Sequence, residues 1–163
     1  MERTISQAIA LRKEQKYEES RDFLVTLLSD ENYAAKAHLQ IAWSYDNQGK
    51  EQQAIKHYVL SLQGKLSPVE RFDALFGLAC TYRSLGQYTE ALSYFEQTMA
   101  EYPESLEVQP FYAMCLYNLG RHKEATSLLL ELLVSTTNSD AIKEYQLAIS
   151  LYAKDLDKTG VVA

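Results

Sequence analysis

The sequence predicts an all-α fold, an α-solenoid of about four helical hairpins followed by a closing helix, and three observations lead to it. Apolar residues recur three and four apart through most of the 163 residues, the period of one helix face. Two series of small residues keep step with each other, Ala8, Ala42, Ala79 and Ala113 with Ser20, Ala54, Ala91 and Ala125, each spaced by 34, 37 and 34 residues. Between them lies a turn position that reads Gln15, Gly49, Gly86 and Gly120. Glycine accepts there the left-handed backbone in which a helix ends. A repeat of this length is a pair of helices that cannot bury its apolar face alone and stacks on its neighbours.

Taken in order, a first helix is expected from about 4 to 16, with Ile5, Ala8, Ile9 and Arg12 on one stripe, and a second from 17 to 29, with Phe23, Leu24, Leu27 and Leu28 apolar. Asp30, Glu31 and Asn32 break the pattern. The second pair spans about 33–48 and 51–63, separated by Asn47-Gln48-Gly49-Lys50. The longer step of 37 places an insertion at Gln63-Gly64-Lys65-Leu66-Ser67-Pro68. Ser67, Pro68 and Glu70 there suit a helix start, with serine as cap, proline first and glutamate completing a capping box. The third pair is about 68–85 and 88–101, the fourth about 105–119 and 122–135.

A polar break, Ser135 to Ser139, precedes a closing helix at about 140–156 whose Ile142, Tyr145, Ile149, Tyr152 and Leu156 are expected to face the last repeat. Such a helix covers an apolar end. Residues 157–163 are expected to fray. The chain reads as a single domain over 1–163, with repeats at about 1–34, 35–71, 72–105 and 106–138.

The most complete unit runs from Leu75 to Pro103, where Leu75, Leu78, Ala79, Tyr82, Ala91, Phe95 and Pro103, with Gly86 at the turn, follow the pattern of a tetratricopeptide repeat, a family that this unit resembles. The end repeats are weaker: the Tyr/Phe place of the second helix reads Leu24, Tyr58, Phe95 and Leu129. The resemblance covers about 1–135 and implies a right-handed stack. AWSYDNQG from Ala42, the G-x-x-S-x-x-E-R insertion from Gly64 and GLACTYRSLGQYTEA from Gly77 are similar to small stand-alone bacterial tetratricopeptide repeat proteins of unassigned activity. That likeness implies a bacterial, cytoplasmic source, admits a homodimer and implies no reaction.

In the family, ligands lie along the surface made by the first helix of each pair. The resemblance therefore assigns a partner-binding groove to Leu39, Gln40, Trp43, Asp46 and Asn47, to Asp73, Phe76, Cys80 and Arg83, and to Phe111, Met114, Tyr117 and Asn118. The places of a Lys/Asn/Arg carboxylate clamp hold Ile9, Gln40 and Gly77 instead.

Composition narrows the partner. A net charge of −6 without a Lys/Arg cluster argues against nucleic acid and anionic membrane. The twelve tyrosines recur at core repeat places, as Tyr45, Tyr58 and Tyr82 do, rather than interleaving with cations as base-stacking residues would. Cys80 and Cys115 lie mid-helix among apolar neighbours and read as buried free thiols. The N-terminal stretch has charges around a short apolar segment, unlike a leader or membrane span, and the expected location is the cytoplasm.

No enzyme is expected, and no cofactor or metal. His38, His57 and His122 form no i, i+4 pair with a second ligand, and phosphate-loop, nucleophile-elbow and zinc-helix motifs are missing from the sequence. The leading expectation is a scaffold-type module binding a peptide or protein segment. The alternatives are a structural homo-oligomer and a small-molecule or anion sensor anchored by Asp46, Arg71 and Arg83, a group whose simpler reading is an ion pair between helices.

Overall fold

A computed structural model describes residues 1–159 of the chain. Among them it contains ten helices and no strand: α1 Glu2–Lys13, α2 Tyr17–Val25, α3 Ala34–Asn47, α4 Glu51–Leu62, α5 Pro68–Ser84, α6 Tyr88–Glu101, α7 Val108–Asn118, α8 His122–Thr136, α9 Asp140–Lys143 and α10 Gln146–Lys154. The chain gathers into two compact units, Met1–Thr98 and the residues from Met99 on.

In the first unit α1 packs on α2, α2 on α3, α3 on α4 and α4 on α5, while α3 also touches α1 and α5. Successive first helices therefore lie side by side. The small residues explain how. Ala8, Ala42, Ala54, Ala79 and Ala91 are fully buried, where any larger side chain would hold two helices apart. Ser20 stands where the other repeats have alanine, and its hydroxyl donates to the carbonyl of Ala8 at 2.7 Å, so a polar atom is buried without losing its partner.

Each hairpin turns through a left-handed residue. Gly49, Gly86 and Gly120 have φ of 73°, 75° and 78°, and Gln15 adopts φ 64° at the matching place. The first repeat thus keeps the turn without the glycine, at the steric cost a Cβ meets in that region. The insertion after α4 behaves as its residues demand. Ser67 Oγ accepts from Glu70 N–H at 3.2 Å and Ser67 N–H donates to Glu70 Oε2 at 2.9 Å, closing the capping box. At Gly64 an added Cβ would come within 2.8 Å of Ala35, so this glycine lets the loop lie against α3.

The core of the first unit forms two clusters. Ile5, Ala8, Leu24, Leu27, Ala37 and Ile41 make one, and Leu39, Ala42, Ala54, Tyr58, Ala74 and Leu78 the other. The second helix, expected to reach about 29, ends at Val25; Leu24 and Leu27 take the inward places, and Phe23 is partly open. Arg21 is buried, donating to Ser44 Oγ at 2.9 Å and Gln48 Oε1 at 3.0 Å, with its guanidinium 4.2 Å from the Tyr45 ring centre. Hydrogen bonds of this kind are what a buried cation requires.

In the second unit α7 packs on α8 and α8 on α10. Ala113, Ala125, Val108 and Cys115 are buried. The closing segment differs from its expected form. It breaks at Glu144–Tyr145, where Tyr145 has φ −101° and ψ 11°, into α9 and α10. Ala153 faces inward, its carbonyl accepting from Ser127 Oγ, and Ser150 Oγ donates to Glu131 Oε2 at 3.3 Å. Tyr145, Tyr152 and Leu156, expected to point inward, are exposed. Asp157, expected to fray, pairs with Lys123; the fraying expected of residues 160–163 lies outside the described residues. No helix among the described residues is long and apolar enough to cross a membrane.

Candidate partner-binding surface

The first-helix residues of the first unit fall into two groups, one open and one built into the core. The open group centres on Trp43 of α3. Arg12 of α1 reaches across to it, its guanidinium carbon 5.3 Å from the indole centre, close enough for a cation–π contact. Arg12 Nη1 donates to Asn47 Oδ1 at 3.0 Å. Burial lowers the Arg12 pKa from its ordinary value, an effect that Tyr58 and Tyr17 oppose, but a guanidinium keeps its charge. Asn47 is exposed, and Gln40 and Trp43 are half-buried. Among the described residues, Arg12 Nε and Gln40 Oε1 are enclosed without a hydrogen-bond partner. The result is an aromatic and amide shelf carrying one fixed positive charge.

The second group holds the helices together. Leu39 is only 1% exposed and lies in the second core cluster. It therefore cannot line a groove, since helix position 39 faces α4 and α5. Asp46 accepts from Tyr58 Oη at 2.5 Å and from Thr81 Oγ1 at 3.0 Å, which ties α3 to α4 and α5 through one carboxylate. Burial raises its pKa, a shift these two hydrogen bonds oppose. The partners of Asp46 are hydroxyls, and not the ion pair with Arg71 and Arg83 that the spacing suggested; both arginines are half-buried on α5 and engaged. Gly77 makes the arrangement possible. A Cβ there would lie 2.9 Å from the Tyr58 ring, so the bare backbone lets the phenol reach Asp46.

Further along α5, Phe76 is half-buried, with its ring centre 5.6 Å from Phe72 and 6.4 Å from Phe95 in an edge-on arrangement. Burial raises the Asp73 pKa, and the charge of Glu70 adds to it. Cys80 is half-buried with its thiol pushed up to about 12, by burial first, against the lowering field of Arg83. Such a thiol stays protonated and unreactive at neutral pH.

In the second unit, α7 turns Phe111, Met114 and Tyr117 outward, and Tyr117 is 61% exposed. They sit three residues apart and so share one face. The Tyr117 ring lies 4.8 Å from that of His122, and Asn118 is half-buried at the end of the stripe.

Two features escaped the sequence reading. Arg12 sits on the inner stripe of α1, and a cation on such a stripe was the available signal that it met an aromatic partner. The histidines, unpaired within any one helix, pair across two: His38 Nδ1 and His57 Nδ1 are 2.9 Å apart with ring centres at 5.2 Å. That is the head-on geometry of an N–H···N hydrogen bond, which needs at least one neutral ring. Burial lowers the His57 pKa to about 4, helped by His38, Arg21 and Lys56, and burial also lowers that of His38.

Comparison with known proteins agrees with the helical-repeat fold. The family described as Tetratrico peptide repeat matches residues 35–156. No curated protein matches the chain. Two crystal structures of nearly identical TPR-like repeats from Podosopora anserina, attributed to kinesin light chain and one of them a single-residue variant, have a TM-score of 0.69. They cover 96% of this chain and 87% of their own, at 19% identity. That level of identity speaks for the fold alone. The chain belongs to the tetratricopeptide repeat family, and its fold class is that of an all-α helical-repeat protein.

Proposed function

We propose that this tetratricopeptide repeat protein is a non-enzymatic interaction module that binds a peptide or protein segment on the faces of its first helices. The observation that carries the reading is α7, along one side of which Phe111, Met114 and Tyr117 are exposed, Tyr117 most of all. Large apolar side chains in line on a rigid helix are anchors for apolar side chains of a partner. The Arg12–Trp43–Asn47 shelf in the first unit supports the same role, with Gln40 and Asn47 supplying amides that could set the register of an extended segment. Leu39 and Asp46 hold that surface in place from within and do not touch the partner.

The test is recovery of partners from a cell lysate by the immobilised protein and by its Met114→Glu variant. Met114 is exposed, so the variant should keep its helical circular dichroism while losing partners by roughly tenfold or more, the cost of a charge placed at an apolar anchor. Equal recovery by a folded variant would remove α7 from the binding surface.

A further inference from the structure

The outer face of α10 is unlike that of an ordinary surface helix. α10, QLAISLYAK, meets α8 through Ala153, and Ser150 reaches Glu131. On the opposite side it carries Leu147 and Leu151, four residues apart, flanked by Ala148 and Tyr152. Leu147 is 88% exposed, and Tyr145, Leu151 and Tyr152 are each more than half exposed. A helix apolar on both sides is ordinarily buried on both. These side chains leave on the order of 500 Å² of apolar surface open, the upper range for a monomer. Two such faces together come to about 1,000 Å², near the least that a specific dimer buries.

The charges at the two ends of the stripe indicate the occupant. Glu144 lies three residues before Leu147, and Lys154 three residues after Leu151. Both are exposed, and among the described residues neither has an ion-pair partner within its own chain. A two-fold axis passing at Ile149 sets α10 antiparallel to its copy. Leu147 then meets the partner subunit's Leu151, and Glu144 meets the partner subunit's Lys154, with each contact made twice. A parallel arrangement would set glutamate on glutamate and lysine on lysine. We propose that the outer face of α10 is an isologous dimer interface, its occupant the same face of a second copy of this chain. The proposal concerns a surface apart from the residues assigned to partner binding on α3 and α7.

The test is a set of masses by sedimentation and light scattering at about 100 µM, where a small interface of this kind is expected to be occupied. The wild-type protein should be a dimer and Leu147→Glu a monomer with unchanged circular dichroism, because Leu147 is 88% exposed. Glu144→Lys alone and Lys154→Glu alone should each weaken the dimer by about tenfold or more, since each places like charges in contact. Mixing these two variants should restore it, because a heterodimer of the pair has opposite charges at both ends. A wild-type monomer, a dimer that survives Leu147→Glu, assembly beyond two copies, or a mixture no tighter than its components would each overturn the proposal.

Discussion

The two units use the same repeat positions with different cover. At the aromatic place of the second helix, Tyr58 and Phe95 in the first unit are 1% and 0% exposed, whereas Leu129 in the second is 43% exposed. The first unit surrounds its large side chains with its own helices: Phe95 has Phe76 against it, and Tyr58 has Gly77 beneath its ring and Asp46 at its hydroxyl. The second unit leaves Phe111, Met114, Tyr117, Leu129, Leu133, Leu147 and Leu151 open. The contrast teaches that repeat position determines which residues could be core, and that the neighbouring elements determine whether they are. Where an apolar stripe stays exposed, the physical expectation is a partner.

The largest effect should come from removing the same kind of side chain at the matching place in each unit. Phe95→Ala empties a filled core and is expected to cost about 3–5 kcal/mol. Leu129→Ala should cost no more than about 1 kcal/mol, because much of that side chain is already in water. Urea unfolding of both variants checks the pair; equal losses would erase the distinction between the units.

Overfilling should sharpen the comparison on a smaller scale. Ala79 is fully buried and Ala125 retains slight exposure. Ala79→Leu is expected to cost about 1–3 kcal/mol through overpacking, and Ala125→Leu less, as read from the shift of the urea midpoint.

These positions were legible in the sequence because each has a demand few residues meet. A close helix approach needs Ala or Ser, and a left-handed turn favours Gly, so two series and a turn sufficed to align four hairpins. Ser67, Pro68 and Glu70 were legible for the same reason. The inner face of α10 was not: with Leu147, Ile149, Leu151 and Tyr152 around the helix, apolar residues point every way and the period carries no direction. Contacts between helices were also hidden. Arg12 and Asn47 are 35 residues apart, and His38 and His57 are 19 apart, and no local pattern joins such pairs. Asp46 looked like an ion-pair partner because charge is visible in a sequence, whereas the reach of the Tyr58 and Thr81 hydroxyls is not.

The histidine pair should make the first unit the acid-sensitive one. His57 has its pKa lowered from 6.5 to about 4, so in the folded state it binds fewer protons than in the unfolded chain between those values. Stability is therefore complete above about 6.5 and declines as pH falls towards about 4. His57→Phe keeps a ring beside Tyr45, which now lies 5.6 Å away, and removes the titration. Thermal midpoints of the variant should vary less than those of the wild type across this window; an unchanged slope would assign the acid sensitivity elsewhere.

The central claim is that residues open on the first helices serve partners, while their buried neighbours serve the fold, and Trp43 tests it most directly. It is the only tryptophan, half-buried beneath Arg12, and one helical turn from Leu39, which is entirely core. Trp43→Ala is expected to remain folded by far-UV circular dichroism and to lose about 2 kcal/mol or more of partner affinity, as an anchor does. A variant that unfolds, or one that stays folded and recovers partners as the wild type does, would contradict the assignment.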